Sequence, residues 1–156
     1  MFSLIACVGK NRELGKDGKL IFRLKTDMKF FRETTKGHKV MMGRKTWESL
    51  PGKLKDRTNI VISRNPVPGA DESVSELGAF IAENKDTPEE IFVIGGGMVY
   101  FEFLKYAKKI YLTEVDAEAE ADTVFPEFDK TKYTRQIIQE GKENDLAFEI
   151  SLYTLK

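Results

Sequence analysis

A single carboxylate lies on the apolar side of a short helical segment near the amino terminus. Leu24, Met28 and Phe31 follow the i, i+4, i+7 spacing of an amphipathic helix over residues 24–32, which predicts a buried stripe. Asp27 points into that stripe, where burial raises the pKa of a carboxyl group and suits it to proton transfer. Alternatively, Asp27 interacts with the helix dipole in the first turn, with Thr26 or a neighbour as the cap.

Three consecutive glycines, Gly95, Gly96 and Gly97, follow an apolar strand candidate over residues 91–94 and precede a helix candidate over residues 99–105. Free backbone N–H groups at a helix N-terminus favour an anion such as a pyrophosphate, and glycine lets a ligand approach the backbone closely. The Rossmann fingerprint is not met, because Tyr100 occupies the position of its third glycine. The triplet therefore fits a phosphate site and a tight structural turn equally well.

Two further polar sets follow short apolar strands. One begins at Gly43 and continues through Arg44, Lys45 and Thr46, and the other is Ser63 with Arg64. In a parallel sheet such positions lie at the carboxyl ends of strands, where ligands bind. Arginines and hydroxyls together can bind a phosphate monoester. Either set alone fits an ordinary solvated helix start or turn, but with the glycines they predict a dinucleotide that carries an extra phosphate.

Strand and helix patterns alternate along the chain, which predicts a largely parallel α/β sheet. Residues 9–23 read as a polar, glycine-containing loop that is long enough to suspect function, and residues 65–72 read as a turn region. The predicted strands are residues 2–8, 40–42, 59–63, 91–94 and 110–115, with 133–139 and 147–155 as a closing antiparallel pair; the predicted helices are residues 24–32, 44–50, 76–84 and 99–105.

Length and composition restrict the class of protein. A chain of 156 residues predicts a single domain over residues 1–156. The 25 basic residues match the 25 acidic ones, which argues against a nucleic-acid partner. The only cysteine, Cys7, excludes an internal disulfide and favours a reducing compartment, so we expect a cytoplasmic protein. No stretch approaches the roughly 18 apolar residues of a membrane span, and we predict no metal site.

Several motifs in order make a more specific signal than any one of them. They comprise residues 3–6, Asp27 with Phe30 and Phe31, and residues 40–49, 57–63, 94–100, 111–113 and 122–126. On these motifs the chain resembles the dihydrofolate reductases of the bacterial type, from Ser3 to near the carboxyl terminus. The resemblance implies a monomer that uses NADPH to reduce 7,8-dihydrofolate to tetrahydrofolate, a step of one-carbon metabolism.

The same resemblance implies an α/β fold with a central, mostly parallel eight-stranded sheet, an antiparallel C-terminal edge and four flanking helices. An adenosine-binding lobe would span about residues 39–87, and the Gly95–Gly96 peptide bond would be cis, as in relatives. Hydride transfer needs a protonated imine on the acceptor, and Asp27 is the candidate acid in the pocket. Whether it donates the proton or raises the basicity of the imine is left open by the sequence.

Residue roles follow from the resemblance alone. Asp27, Phe22 and Thr113 match catalytic positions, and Arg57 matches the residue that fixes the glutamate α-carboxylate of the substrate. The substrate positions are Ile5, Asp27, Met28, Phe31, Leu50, Leu54, Arg57, Ile94, Tyr100 and Thr113. The cofactor positions are Cys7, Leu14, Leu20, Gly43, Arg44, Lys45, Thr46, Ser63, Arg64, Gly95, Gly96, Gly97, Met98, Val99 and Tyr100.

The chain departs from the family pattern at the segment that covers the active site. Relatives typically carry Leu- or Met-Pro-Trp where this chain has Leu20-Ile21-Phe22. Ile21 lacks the fixed φ of proline, and Phe22 lacks the indole N–H donor that helps to organise water near the pterin. Met98 stands where some bacterial relatives carry a cofactor-facing arginine. These changes bear on rate and loop behaviour more than on the reaction.

Two other functions remain open at this point. A riboflavin-pathway pyrimidine reductase of the same fold would not be expected to carry both Asp27 and Arg57 for a pterin and a glutamate. A non-catalytic nucleotide-binding module would explain the glycine triplet and Arg44, but not a buried acid in a second pocket. Oxidation of NADPH with dihydrofolate as the acceptor would separate all three functions.

Overall fold

The computed structural model describes residues 1–156 and contains two sheets and four helices. The helices are α1 (Lys25–Thr35), α2 (Arg44–Ser49), α3 (Leu77–Asn84) and α4 (Gly97–Leu104). The strands are β1 (Phe2–Val8), β2 (Glu13–Lys16), β3 (Lys19–Leu20), β4 (Lys39–Gly43), β5 (Thr58–Ile62), β6 (Glu72–Val74), β7 (Ile91–Gly95), β8 (Ala107–Val115), β9 (Thr123–Val124), β10 (Tyr133–Glu143) and β11 (Leu146–Leu155).

The central sheet has eight strands in the order β10-β11-β8-β1-β7-β4-β5-β6. Every neighbouring pair is parallel except those of β11, which runs antiparallel to both β8 and β10. Strands such as β1 and β7 are buried along most of their length, as expected where helices cover both faces of a parallel sheet. The predicted mixed sheet with an antiparallel C-terminal edge and four helices is confirmed.

Alternating residues of the central strands face two separate cores. From β1, Phe2, Leu4 and Val8 enter the larger cluster, together with side chains of α3 and α4. Ile5 and Cys7 point to the opposite face, each into a smaller cluster. Side chains of α1 and α2 cover that second face, so the helix that carries Asp27 lies over the same side of the sheet as Ile5 and Cys7.

The predicted loop over residues 9–23 is not structureless, so that prediction is wrong in part. It forms β2 and β3, which pair with β9 in a small antiparallel sheet. Gly15 accepts a hydrogen bond from the Asp122 backbone N–H at 3.1 Å, and the Asp122 carboxylate accepts one from Asp17 N at 2.9 Å. These hydrogen bonds thus hold the segment against Asp122, the residue that precedes β9.

A buried carboxylate stabilises the same segment. Glu13 is 3% exposed and accepts hydrogen bonds from the backbone N–H groups of Asn11 at 2.6 Å and Ala119 at 2.7 Å. Burial alone would raise the pKa of Glu13, but these backbone donors outweigh it and hold the pKa below its usual value. Glu13 therefore links the start of the chain to the connection after β8, away from Asp27.

Helix α1 differs from its predicted form. It begins after Leu24, which is fully buried, and Met28 is 53% exposed where the sequence predicted burial. Leu24 packs into one of the two small clusters and Phe31 against the other, whereas Met28 belongs to neither. Leu24 and Phe31 therefore anchor α1 in two different clusters, and Met28 remains at the surface between them. None of the helices is long and apolar enough to cross a membrane.

Candidate active site

Asp27 lies in the first turn of α1, directly over β8. Its Oδ1 accepts a hydrogen bond from the hydroxyl of Thr113 at 2.5 Å, and Thr113 is 2% exposed. The pairing joins a helix and a strand that are 86 residues apart in the chain. The structure thus brings together the carboxylate and the hydroxyl that the resemblance placed in one network, through a direct bond.

Cys7 is the second donor to this carboxylate. It pairs with Thr113 across the parallel β1–β8 ladder, so both side chains leave the sheet on the same face. The Cys7 thiol donates a hydrogen bond to Asp27 and is 8% exposed. Burial, and then the nearby Asp27 charge, raise the pKa of Cys7, which keeps the thiol protonated and able to donate.

The environment of Asp27 shifts its acidity in two directions. Burial raises the pKa most, the hydrogen bonds from Thr113 and Cys7 lower it, and the negative charge of Glu143 raises it again. The net result is a pKa above the ordinary value for an aspartate. A carboxyl group with a raised pKa, held by two donors beside apolar side chains, fits the binding of a polar ligand edge and proton transfer.

Apolar side chains beside α1 come together as expected for a substrate pocket. Ile5 is buried, and its cluster is packed against the partly buried side chains Phe31, Leu50, Leu54 and Ile94. Tyr100 lies on the other face of the sheet, in the larger core, and its hydroxyl donates to the Ile5 carbonyl at 2.7 Å. Tyr100 therefore supports the backbone of β1 from beneath the glycine triplet.

Arg57 lies at the far end of this apolar group, with its guanidinium carbon 5.9 Å from the centre of the Phe31 ring. Its Nε donates to the Lys55 carbonyl at 2.8 Å and its Nη1 donates to the Thr35 hydroxyl at 3.2 Å. A guanidinium has five N–H donors, so the fixed side chain keeps others free for an anion. Partial burial lowers the pKa of Arg57, and the residue remains a cation.

The glycine triplet forms a close turn between β7 and α4. The Gly95–Gly96 peptide bond is cis, as the resemblance implied, and Gly95 has a φ of 137°, a conformation that favours glycine. A Cβ on Gly97 would lie 2.8 Å from Cγ2 of Thr123, and one on Gly95 would lie 3.3 Å from Oγ1 of Thr46. The backbone of the glycine triplet thus lies so close to Thr46 and Thr123 that larger side chains at Gly95 and Gly97 would crowd them.

The two polar sets lie side by side. Gly43 pairs with Ile62 at the carboxyl ends of β4 and β5, so Arg44 and Ser63 follow neighbouring strand ends. Val99 of α4 is adjacent, because a Cβ on Gly43 would lie 3.1 Å from its Cγ2. The structure therefore joins the glycine triplet and the arginine sets along one edge of the sheet.

Three predicted cofactor positions differ in how far their side chains are exposed. Leu14 is 7% exposed and belongs to the larger core, so its side chain serves packing. Leu20 on β3 is 57% exposed, and Met98 at the start of α4 is 78% exposed. Phe22, a predicted catalytic position, is buried in the Cys7 cluster, because the segment before α1 packs its ring against the sheet.

Glu143 and Glu13 are structural partners of the site region that sequence reasoning missed. Glu143 contacts the first residues of α1, whereas Glu13 is buried in the segment before α1. The one available sequence signal for Glu143 was indirect, since Leu24 cannot cap a helix and some other group had to do so.

A cavity of about 960 Å³ lies away from Asp27. Its wall on β8 includes Leu112 and Glu114, which alternate with Thr113 and point to the opposite face of the sheet. This cavity therefore opens on the face of the sheet opposite Asp27 and is separate from the candidate site.

A half-buried carboxylate over the sheet, and a glycine turn beside strand ends that carry arginines, are typical of an α/β enzyme. The family model for dihydrofolate reductase matches residues 1–155, and the chain belongs to that family. The family implies a small-molecule substrate and a nicotinamide cofactor.

Similar proteins share this family name. A dihydrofolate reductase of Bacillus subtilis (strain 168) is 34% identical over 165 residues, which cover 100% of this chain and 95% of the relative. The dihydrofolate reductase HdrB of Haloferax volcanii is 39% identical, covering 85% of this chain and 74% of the relative. A dihydrofolate reductase type 3 of Salmonella typhimurium is 41% identical, covering 82% and 80%.

Proposed function

We propose that this enzyme uses NADPH to reduce 7,8-dihydrofolate to 5,6,7,8-tetrahydrofolate, with Asp27 as the residue that binds and activates the pterin. The hydrogen bond from Thr113 to the Asp27 carboxylate, on a helix that covers apolar side chains, is the observation that carries the proposal. A carboxylate can accept two parallel N–H donors, and the amidine edge of a pterin supplies such a pair.

Asp27 would act in two ways on the bound substrate. Its negative charge stabilises positive charge on the pterin and so raises the basicity of the imine nitrogen that must be protonated. Thr113 and Cys7 hold the carboxylate in place, which reduces reorganisation during the reaction. The bound nicotinamide supplies the hydride.

The remaining substrate contacts would come from the apolar residues and from Arg57. Ile5, Phe31 and Ile94 would pack against the pterin and exclude water from it. Met28, exposed on α1, would contact the substrate at the mouth of the pocket, with Leu50 and Leu54 around the benzoyl group. The free donors of Arg57 would bind the glutamate α-carboxylate.

The residues present fit a dinucleotide. Glycines at the start of α4 leave the backbone N–H groups without side chains that would block a pyrophosphate. We assign the adenosine-binding lobe to about residues 39–87. The assigned contacts are Cys7, Leu20, Gly43, Lys45, Thr46, Gly95, Gly96, Met98, Val99 and Tyr100, with the backbone at Leu14 and with Arg44, Ser63 and Arg64 on the 2′-phosphate.

Arg44→Ala is expected to weaken NADPH about tenfold to a hundredfold, because one charge-assisted contact contributes about 1.5–3 kcal/mol. NADH should be affected little, since it lacks the 2′-phosphate. Arg44 lies 2.9 Å from Glu48 Oε1 in an exposed ion pair, so Glu48→Ala is the matched control and should not weaken NADPH. KM is measured for both cofactors; equal losses in Arg44→Ala would exclude a 2′-phosphate role.

Phe22→Trp combined with Ile21→Pro is expected to raise the hydride-transfer rate at pH 7, because the indole N–H can hold a water near the pterin. The variant should also melt lower, since a Cβ on Gly9 would already lie 2.8 Å from the Phe22 ring and a larger side chain overpacks that space. Pre-steady-state kinetics with deuterated cofactor isolate the step, and both single variants are needed. A double variant no faster than the parent would show that Phe22 does not slow hydride transfer in this enzyme.

The reaction itself is tested by mixing the purified protein with NADPH and dihydrofolate and following the loss of reduced-nicotinamide absorbance. Stoichiometric formation of tetrahydrofolate is the expected result. Oxidation with a riboflavin-pathway pyrimidine but not with dihydrofolate would overturn the assignment.

We further propose that the enzyme is a cytoplasmic monomer. A free, buried Cys7 thiol suits a reducing compartment. Charged Arg135, Glu140 and Lys142 on the edge strand β10 oppose pairing of that edge with a second chain. Sedimentation of the purified protein tests the monomer.

A further inference from the structure

Helix α1, which carries Asp27, begins without a cap of its own. Leu24 occupies the N-cap position and offers no side-chain acceptor. The first N–H groups of any helix need partners from outside the helix, and Ser, Thr, Asp or Asn usually supplies one. Without such a partner, the turn that carries Asp27 would fray most readily.

The missing acceptor comes from the other end of the chain. Glu143 Oε2 accepts the backbone N–H of Lys25 at 2.5 Å, and Oε1 accepts the Thr26 N–H at 3.2 Å and the Thr26 hydroxyl at 2.6 Å. One carboxylate thus satisfies two backbone donors and a side chain in the turn that precedes Asp27. Its negative charge also lies at the positive end of the helix dipole.

The position of Glu143 is fixed by a tight hairpin. It is the last residue of β10, and Asn144 and Asp145 follow with φ of 51° and 62°, as a two-residue type I′ turn requires. The returning strand β11 pairs with β8, where Ile150 lies opposite Thr113. The same hairpin therefore fixes both the cap of α1 and the strand that donates to Asp27.

We propose that Glu143 is a positioning residue of the active site, whose carboxylate caps α1 and so fixes Asp27 over Thr113. The inference rests on the proposed function for its catalytic consequence. The cap itself is a property of the free protein and can be measured without turnover.

The cap also brings a second negative charge near Asp27. The groups that face Asp27 are Cys7 from β1, Thr113 from β8 and Glu143 from β10, while Tyr100 of α4 lies on the other face of the sheet. Hydrogen bonding to Thr26 lowers the pKa of Glu143, so this residue stays ionised while Asp27 titrates. Since like charges disfavour ionisation, removal of the Glu143 charge should lower the pKa of Asp27.

Three variants separate the cap from the charge. Glu143→Ala removes both, Glu143→Gln keeps an acceptor without the charge, and Glu140→Gln removes an exposed charge from the same strand as a control. Amide hydrogen exchange is read at Lys25 and Thr26. The Asp27 carboxyl is titrated by carbon NMR, with its resonance assigned by its loss in Asp27→Asn.

In Glu143→Ala, exchange at Lys25 and Thr26 should accelerate about fivefold, in line with the loss of a helix cap. Glu143→Gln should retain most of that protection, yet lower the Asp27 pKa, with a larger effect at low salt than at high salt. Glu140→Gln should match the parent in both measurements.

Folate affinity gives the functional readout. Its dissociation constant should rise about fivefold in Glu143→Ala and be largely restored in Glu143→Gln. Unchanged exchange in Glu143→Ala, an unchanged Asp27 titration in Glu143→Gln, or folate affinity insensitive to Glu143→Ala would each overturn the proposal. If the parent bound no folate, the proposed function would fail, while exchange and titration would still decide the cap.

Discussion

Replacement of Asp27 by asparagine is expected to lower turnover at pH 7 by about 10²- to 10⁴-fold, the usual contribution of a positioned acid or base. The amide can still accept the Thr113 hydroxyl, so the fold should persist. It cannot carry the negative charge that raises the basicity of the imine. Activity should recover in part at acid pH, where solvent protonates the substrate, and the pH profile of turnover measures this. Near-normal turnover at pH 7 would contradict the assignment.

The same substitution should stabilise the free protein at neutral pH. The pKa of Asp27 is raised in the folded state, mainly by burial. A group of this kind favours folding below its unfolded pKa of about 3.9, and this stability is lost as the pH rises through the folded pKa. Asp27→Asn should therefore raise the melting temperature at pH 7, with the difference vanishing below about pH 4. Asp86→Asn, an exposed control, should show no such pattern.

Arg57→Leu is expected to weaken dihydrofolate about tenfold to a hundredfold, since one charge-assisted contact contributes about 1.5–3 kcal/mol. A dihydropterin without the glutamate should bind almost as before. Thr35 donates its hydroxyl to the Phe31 carbonyl at 2.7 Å, so it keeps a partner and the pocket should hold its shape.

The control for Arg57 is Lys55→Leu, which removes a neighbouring exposed cation. It should leave both affinities close to those of the parent. Parallel losses for dihydrofolate and the shortened pterin in Arg57→Leu would show that Arg57 supports the pocket wall rather than the substrate tail.

The sequence predicted the central sheet because its strands are apolar runs buried on both faces. β1 and β7 have this pattern, and their predicted bounds differ from the structure by at most one residue. The short strands β2, β3, β6 and β9 were missed, since segments of two to four residues carry too little periodicity to be recognised. Met28 was placed in the core because periodicity identifies an apolar side but not what covers it.

The residues of the candidate site also differ in whether the sequence alone could identify them. Asp27 could be found because a carboxylate among apolar neighbours conflicts with the local pattern. Arg57 was identified only through the family resemblance, since one arginine in a basic stretch looks like any other. Glu143 could not be found, because its partners Lys25 and Thr26 are more than a hundred residues away in the chain.

The inner position of β11 has a consequence for how the enzyme becomes active during synthesis. Strand β11 follows β10 in the chain but lies between β10 and β8 in the sheet, not at its edge. A nascent chain that lacks residues 146–155 can therefore attach neither β10 nor the carboxylate at its end to the body of the protein. Amino-terminal segments fold first on the ribosome, so the inner parallel strands can assemble early. The Glu143 cap must wait until residues 146–155 can pair with β8, which makes a nascent chain arrested before them a natural inactive reference for the folded enzyme.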